Sequence, residues 1–213
     1  MDITSARAAA RNVIFDFGGV LLRWQPQEII DAFYAEEDLR SSLGRNVFRH
    51  PDWVEMDRGS LAEDTAAQRF AARVNRPVQE MQALLQLVKE SLVPLPGTVE
   101  LVRGLARRGV PLYGLSNMPA STFTYLSGRY DHWKLFQGIV ISGNVKLIKP
   151  DPAIFEYICR QHQLKPSETI FVDDHSPNIE VAGKLGFRTI LFRDAERCAQ
   201  DLDAFLGSSA ERV

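Results

Sequence analysis

Cysteine is nearly missing from this chain. Cys159 and Cys198 are the only two among 213 residues. They lack the C-x-x-C spacing of a redox or zinc site, and two cysteines make no disulfide scaffold. Both fall in expected helices and are expected to stay reduced, as in a cytoplasmic protein. No apolar run approaches the length that spans a bilayer. Met1 to Arg11 carry no apolar stretch of the kind a secretory signal needs, and read as a short frayed lead-in. Charge of one sign is also lacking: the formal net charge is −2, so no basic field points to nucleic acid. No membrane partner is expected either. Repeats and low-complexity segments are absent. The composition, 45% hydrophobic and 24% charged, is that of a folded globular chain rather than a disordered one. The length suits one α/β domain with an insertion, or two small domains.

What is present is organised around Val13-Ile14-Phe15-Asp16-Phe17-Gly18-Gly19-Val20-Leu21-Leu22. The apolar start suits a strand buried on both faces of a parallel sheet. Asp16 then places a carboxylate where that strand should end, followed by two glycines that admit backbone conformations other residues resist. A lone acid beside a buried strand is costly unless it binds a cation or does chemistry. In open α/β sheets, ligands sit at that end of the strands.

After Leu22 the strand pattern stops, and Pro26 suits the start of a helix. Between Gln27 and Val93 apolar residues recur at helical spacing, as in Phe70, Val74, Met81, Leu84, Leu85 and Val88. Arg58-Gly59 breaks the run, Ser60 with Glu63 reads as a capping box, and Arg76-Pro77 marks a further break. Leu92 to Gly97 is a proline-rich return, suited to a second hinge strand. Thr98 is expected to cap a helix over Val99 to Arg108, which Gly109 stops. From there strands (Val110 to Leu115, Gly138 to Ser142, Thr169 to Val172, Arg188 to Phe192) alternate with helices (Ala120 to Ser127, Pro152 to His162, Asn178 to Leu185, Arg197 to Leu206). Such alternation implies right-handed crossovers and a doubly wound parallel α/β sheet. The expected organisation is a core of residues 1–22 and 95–213, interrupted by a helical insertion at 23–94.

Every chemistry-bearing residue lies just after an expected strand. These are Asp16, Ser116-Asn117, Asp173-Asp174, and Lys149 at the mouth of a helix. In a parallel sheet all four ends share one edge. Three carboxylates gathered there repel one another unless a cation joins them, and hard oxygen ligands near a phosphate suit Mg²⁺. Ser116 and Lys149 offer a donor and a charge to anionic oxygens. A carboxylate in such a place can attack phosphorus and form an aspartyl-phosphate.

Taken together, D-F-G-G-V, L-S-N, I-K-P and F-V-D-D-x-x-x-N, in that order, resemble the four signature segments of the haloacid dehalogenase-like hydrolase superfamily. The resemblance covers nearly the whole chain and implies a Rossmann-like core with a helical cap. It implies Asp16 as nucleophile, with Ser116 and Asn117 binding the transferring phosphoryl group. Lys149 would bridge nucleophile and phosphate. A Mg²⁺ site would be formed by Asp16, the Gly18 carbonyl, Asp173 and Asp174. Asn178 either steadies that loop or caps the following helix. The implied partner is a small phosphorylated substrate, and the chain is expected to be a monomer or a homodimer.

One departure matters. Phosphatases of this superfamily mostly carry a second aspartate two residues after the nucleophile, as general acid and base, and here that position is Gly18. Three readings follow. The first is a phosphatase whose leaving group needs little protonation; sugar 1-phosphates fit, and the sequence is similar to the α-D-glucose-1-phosphatase-like branch. The second is a 2-haloacid dehalogenase, against which the acidic pair argues, since that chemistry needs no metal. The third is a catalytically weak binding protein of the same fold. Several residues carry both a functional and a structural reading. His175 is a proton carrier or a solvated neighbour of the acids. Trp53, with His50 and Arg45, faces a substrate ring or builds the insertion's core. Arg23-Trp24 closes over substrate or only forms the hinge. Lys146 lies near Lys149, but the following Pro150 and helix start favour Lys149.

Overall fold

The computed structural model describes residues 10–207; residues 1–9 of the expected lead-in lie outside it. Five strands form one sheet, β1 (Asn12–Phe15), β2 (Leu112–Ser116), β3 (Gly138–Ile141), β4 (Thr169–Asp173) and β5 (Arg188–Leu191). Their order is β3-β2-β1-β4-β5, and all pairs are parallel. The first strand is therefore central, and the strand order reverses beside it, which is where such sheets bind ligands. Along β1, Val13 and Phe15 pack into one apolar cluster and Ile14 into another on the opposite face. That is the period-two alternation of a strand covered on both sides. Residues 10 and 11 are not frayed: the Ala10 amide donates to Phe205 O and the Arg11 amide to Glu168 O.

Between β1 and β2 the chain forms α1 (Pro26–Phe33), α2 (Glu37–Leu43), a π-helical turn (Gly44–Phe48), α3 (Pro51–Arg58), α4 (Glu63–Val74) and α5 (Val78–Ser91). These share a third apolar cluster, built on Ile29, Phe70, Met81 and Leu84. Trp24 packs against this cluster and against the sheet's own. The two connecting segments pair with each other: the Arg23 amide donates to Val93 O and the Leu95 amide to Leu21 O, both at 2.8 Å. Pro94 and Pro96 have no amide proton, so this pairing stays a single bridge rather than a ladder.

The remaining helices are α6 (Pro96–Arg107), α7 (Ala120–Arg129), α8 (Ser142–Val145), α9 (Pro152–His162), α10 (Ser176–Lys184) and α11 (Ala195–Leu206). Two expected caps, and the capping reading of Asn178, are not what the fold shows. Ser60 caps nothing ahead of it; its hydroxyl donates back to Glu55 O, because Gly59 at φ +81° turns the chain over the end of α3. Glu63, freed from a capping box, accepts from Lys89 Nζ and from Ser121 Oγ, each at 2.5 Å. It thereby ties α4 to α5 and to α7. Thr98 is buried in the first turn of α6, which Pro96 opens one turn earlier than expected. Asn178 likewise lies inside α10, whose N-cap is His175. No helix among the described residues is long and apolar enough to cross a membrane.

Candidate active site

Asp16 follows the last residue of β1 by one position, so the central strand delivers its carboxylate to the edge where β2 delivers Ser116 and β4 delivers Asp173. Lys149 comes to the same point from the loop before α9. Its Nζ lies 2.9 Å from Asp16 Oδ1 and 2.7 Å from Asp173 Oδ2, and donates to Leu115 O at 2.8 Å. The ammonium is buried, at 3% exposure. Burial alone would pull it down, but the Asp16 and Asp173 carboxylates outweigh that and hold its pKa above the ordinary value. Lys146 instead ends α8 at φ +58°.

Asn117 locks the lysine loop in place. Its Nδ2 donates to Lys149 O and its Oδ1 accepts from the Lys149 amide, both at 2.9 Å. The side chain is thus committed to positioning Lys149, and contact with a bound anion falls to its main chain. Ser116 is buried at the end of β2 and lines the cavity above the acids.

Asp173 is fully buried and well satisfied. It accepts from the His175 amide at 2.8 Å, from Asn178 Nδ2 at 3.0 Å to each oxygen, and from Lys149. Asn178 therefore steadies the acidic loop rather than capping a helix. Asp174 is exposed and lies over Gly19. A Cβ at position 19 would stand 2.1 Å from Asp174 Oδ2, and the residue has φ +76°, so glycine is required twice over.

Ligand oxygens of Asp16, Asp173 and Asp174 all lie within 4.8 Å of one another. Against three carboxylates the site sets one ammonium. The resulting strain appears in the titration of the acids. Burial pushes Asp16 up to about 7; Lys149 opposes this, while Asp173 and Asp174 add to it. Asp174 is raised by burial first and by Asp173 next. An all-oxygen set with excess negative charge fits a hard divalent cation. Asp16 and Asp174 have the greatest capacity to hold one, because Lys149, Asn178 and the His175 amide already occupy most of Asp173's acceptor sites.

Above this floor is a cavity of about 730 Å³, roofed by the helical insertion. Trp24, Phe48, Trp53, Met56, Leu85 and Val88 line the roof. Trp53 is at once core and wall: it packs on Phe70 and Phe48 while its neighbour Trp24 stands 6.0 Å away, ring to ring. His175 lines the cavity, whereas Arg45 is exposed and does not line it; His50 serves as the N-cap of α3, accepting from the Asp52 amide. Asp57, Glu63 and Lys89 also reach the cavity. Sequence reading missed them, because acids and lysines on amphipathic helices carry no signal of which way the tertiary packing turns them.

Known proteins share this sequence pattern and this fold. The family model described as haloacid dehalogenase-like hydrolase matches residues 10–186. The chain is 32% identical over 205 residues to the drimenol cyclase drtB of Aspergillus calidoustus, covering 95% of this chain but only 38% of that protein. It is 29% identical over 194 residues to the sesquiterpene phosphatase astK of Aspergillus oryzae, covering 91% and 95% of the two chains. A HAD family enzyme of Bacteroides thetaiotaomicron, crystallised with magnesium and inorganic phosphate, superposes with a TM-score of 0.73 at 20% identity, over 89% of this chain and 98% of that one. The chain belongs to the haloacid dehalogenase-like hydrolase family.

Proposed function

We propose that this protein is a Mg²⁺-dependent phosphomonoesterase working through a phosphorylated Asp16. The observation that carries this reading is the buried Asp16 carboxylate, held by Lys149 beside two further acids and opening on a cavity. Asp16, Asp174 and the Gly18 carbonyl, with Asp173 behind them, would hold the cation. When bound it would offset the charge of the acids and of a phosphate. Asp16 attacks phosphorus in line with the departing alcohol. Ser116 and the Asn117 main chain bind the transferring group, and Lys149 neutralises charge growing on its oxygens. Residues 23–94 act as a cap that excludes water from this step. A dehalogenase would have little use for the acidic pair. Gly18 is the feature that favours a weak binding protein, and turnover of p-nitrophenyl phosphate separates that reading from ours.

The alcohol part of the substrate, in our reading, is mostly apolar. A sugar phosphate would meet Trp24, Phe48, Trp53, Leu85 and Val88 where its hydroxyls need partners. The relationship to a sesquiterpene phosphatase supports the same choice. A terpenyl or long-chain alkyl monophosphate is therefore expected to exceed glucose 1-phosphate in kcat/KM by about 10²-fold or more, since each buried methylene contributes about 0.8 kcal/mol. Steady-state kinetics with both esters checks this, and a preference for the sugar phosphate would refute it.

Removing the cation has two expected consequences. Excess chelator should abolish turnover. Adding Mg²⁺ back to metal-free protein should raise the thermal midpoint, because a ligand bound only by the native state stabilises it. The shift should shrink in Asp174→Asn. Thermal melts of the two proteins with and without Mg²⁺ provide the check, and full activity in chelator would contradict the reading.

A further inference from the structure

We propose that Asp57, on the cap, supplies the general acid and base that position 18 lacks. This rests on the phosphatase reading above. Asp57 occupies the last turn of α3 and lines the same cavity as Asp16, Gly18 and Ser116.

Three contacts locate the end of α3 that carries it. The buried Ser142 hydroxyl donates to Asp57 O at 2.5 Å and accepts from the Met118 amide at 2.9 Å. One hydroxyl thus pins the end of α3 to the loop that carries Ser116 and Asn117. Two residues farther, Gly59 meets the core backbone so closely that a Cβ there would stand 2.4 Å from Gly143 O. The main chain at the end of α3 is in this way docked closely on the core. The third contact comes from the other side of the cavity. A Cβ at Gly18 would point at Trp24, at 3.8 Å from its Cβ, and the Trp24 ring lies 6.0 Å from that of Trp53. Trp53 lies one helical turn before Asp57 on the same helix and lines the same cavity. The space that a side chain at 18 would enter is therefore bordered by the two tryptophans that lead to Asp57.

The environment suits the task. Burial raises the Asp57 pKa well above the carboxylate range, opposed only by Trp53. Among the described residues no ion pair to Asp57 is found. The carboxyl is thus biased toward its protonated form, the form a general acid needs.

The steps balance. Asp16 bonds to phosphorus as the phosphorus–oxygen bond to the alcohol breaks, and the departing oxygen takes the Asp57 proton. Water then attacks the phosphorus of the aspartyl-phosphate, giving a proton to the Asp57 carboxylate. The bond to Asp16 breaks, phosphate leaves, and both acids return to their starting states.

The test is Asp57→Asn, which keeps the shape of the carboxyl, measured with Mg²⁺ on an alkyl phosphate and on p-nitrophenyl phosphate. General acid catalysis contributes about 10²–10⁴-fold, most where the leaving oxygen is most basic. The kcat/KM for the alkyl ester should fall by that factor, and that for the aryl ester by less than about tenfold. Because the base for the second step is also gone, rapid mixing with the aryl ester should give a burst of nitrophenolate equal to the enzyme. Acid quenching should then trap phosphorylated Asp16. The double variant Gly18→Asp/Asp57→Asn should recover alkyl phosphate hydrolysis, which a folding defect would not allow. Position 18 is not in the left-handed region, and Trp24 leaves room for the side chain. Equal losses on both esters, no loss on either, or no burst would overturn the assignment. A wild type that turns over neither ester would overturn the phosphatase reading and this proposal with it.

Discussion

Asp16→Asn is expected to lower turnover by at least about 10⁴-fold, the scale on which removal of a nucleophile acts, without weakening the fold. The amide matches the carboxylate in shape, and Lys149 keeps its bonds to Asp173 and Leu115. Stability should even gain at alkaline pH in the metal-free protein. Asp16 holds its proton more tightly in the native state, up to about 7, than in the unfolded chain, near 3.8. Below both values the two states bind the same proton and nothing is lost. As pH rises between them, the unfolded chain releases the proton while the native state still holds it, so the unfolded state is favoured and stability falls. Asn carries no such proton and should abolish that part of the decline. Activity assays together with thermal melts from pH 4 to pH 8 test both halves. Residual turnover at the wild-type rate in a folded variant would end the aspartyl-phosphate mechanism.

Lys149→Met should damage both function and fold. The ammonium is the counter-charge to Asp16 and Asp173, and all three groups are buried. Breaking a buried pair by removing one partner costs about 3–5 kcal/mol, because the remaining charge is left uncompensated. For a chain of this size, that corresponds to a drop of about 10 °C in thermal midpoint. The sign with pH again follows from Asp16. Losing Lys149 removes the main influence that lowers its pKa, so the carboxyl should rise further. The damage should be smaller at pH 5, where Asp16 is protonated in the native state, than at pH 8. Turnover should vanish at either pH, since nothing then neutralises the transferring group. A variant as stable as wild type at pH 8 would show that the lysine's charge is not what balances the acids.

Lys149 also illustrates how much was legible beforehand. Short apolar runs, each followed by polar residues, reveal strands, and a parallel sheet turns all those ends toward one edge. Asp16, Ser116, Lys149, Asp173 and Asp174 could therefore be grouped from sequence by topology alone. Pro26 and Pro152 read correctly as helix starts, because a residue without an amide proton fits the first turn wherever the helix lies. Ser60 and Thr98 misled for a common reason, and the capping reading of Asn178 gives way to the loop-steadying one for the same reason. Each is a residue type that caps helices, but capping competes with whatever other partner the fold supplies. Gly59 turns Ser60 back to Glu55, Pro96 starts α6 ahead of Thr98, and Asp173 claims the Asn178 amide.

The sequence by itself determined the alternation of strands and helices and the set of groups at the sheet edge. These depend on periodicity and on short-range backbone rules, which act within a few residues. Only the tertiary structure decided what faces that edge from above. It showed that Asn117 binds the Lys149 main chain, that Glu63 reaches Ser121, and that Ser142 binds the Asp57 main chain. Each of these contacts joins residues 32, 58 or 85 positions apart. Such contacts follow from the packing of apolar faces against one another, which carries the polar groups between those faces to partners that no local pattern names.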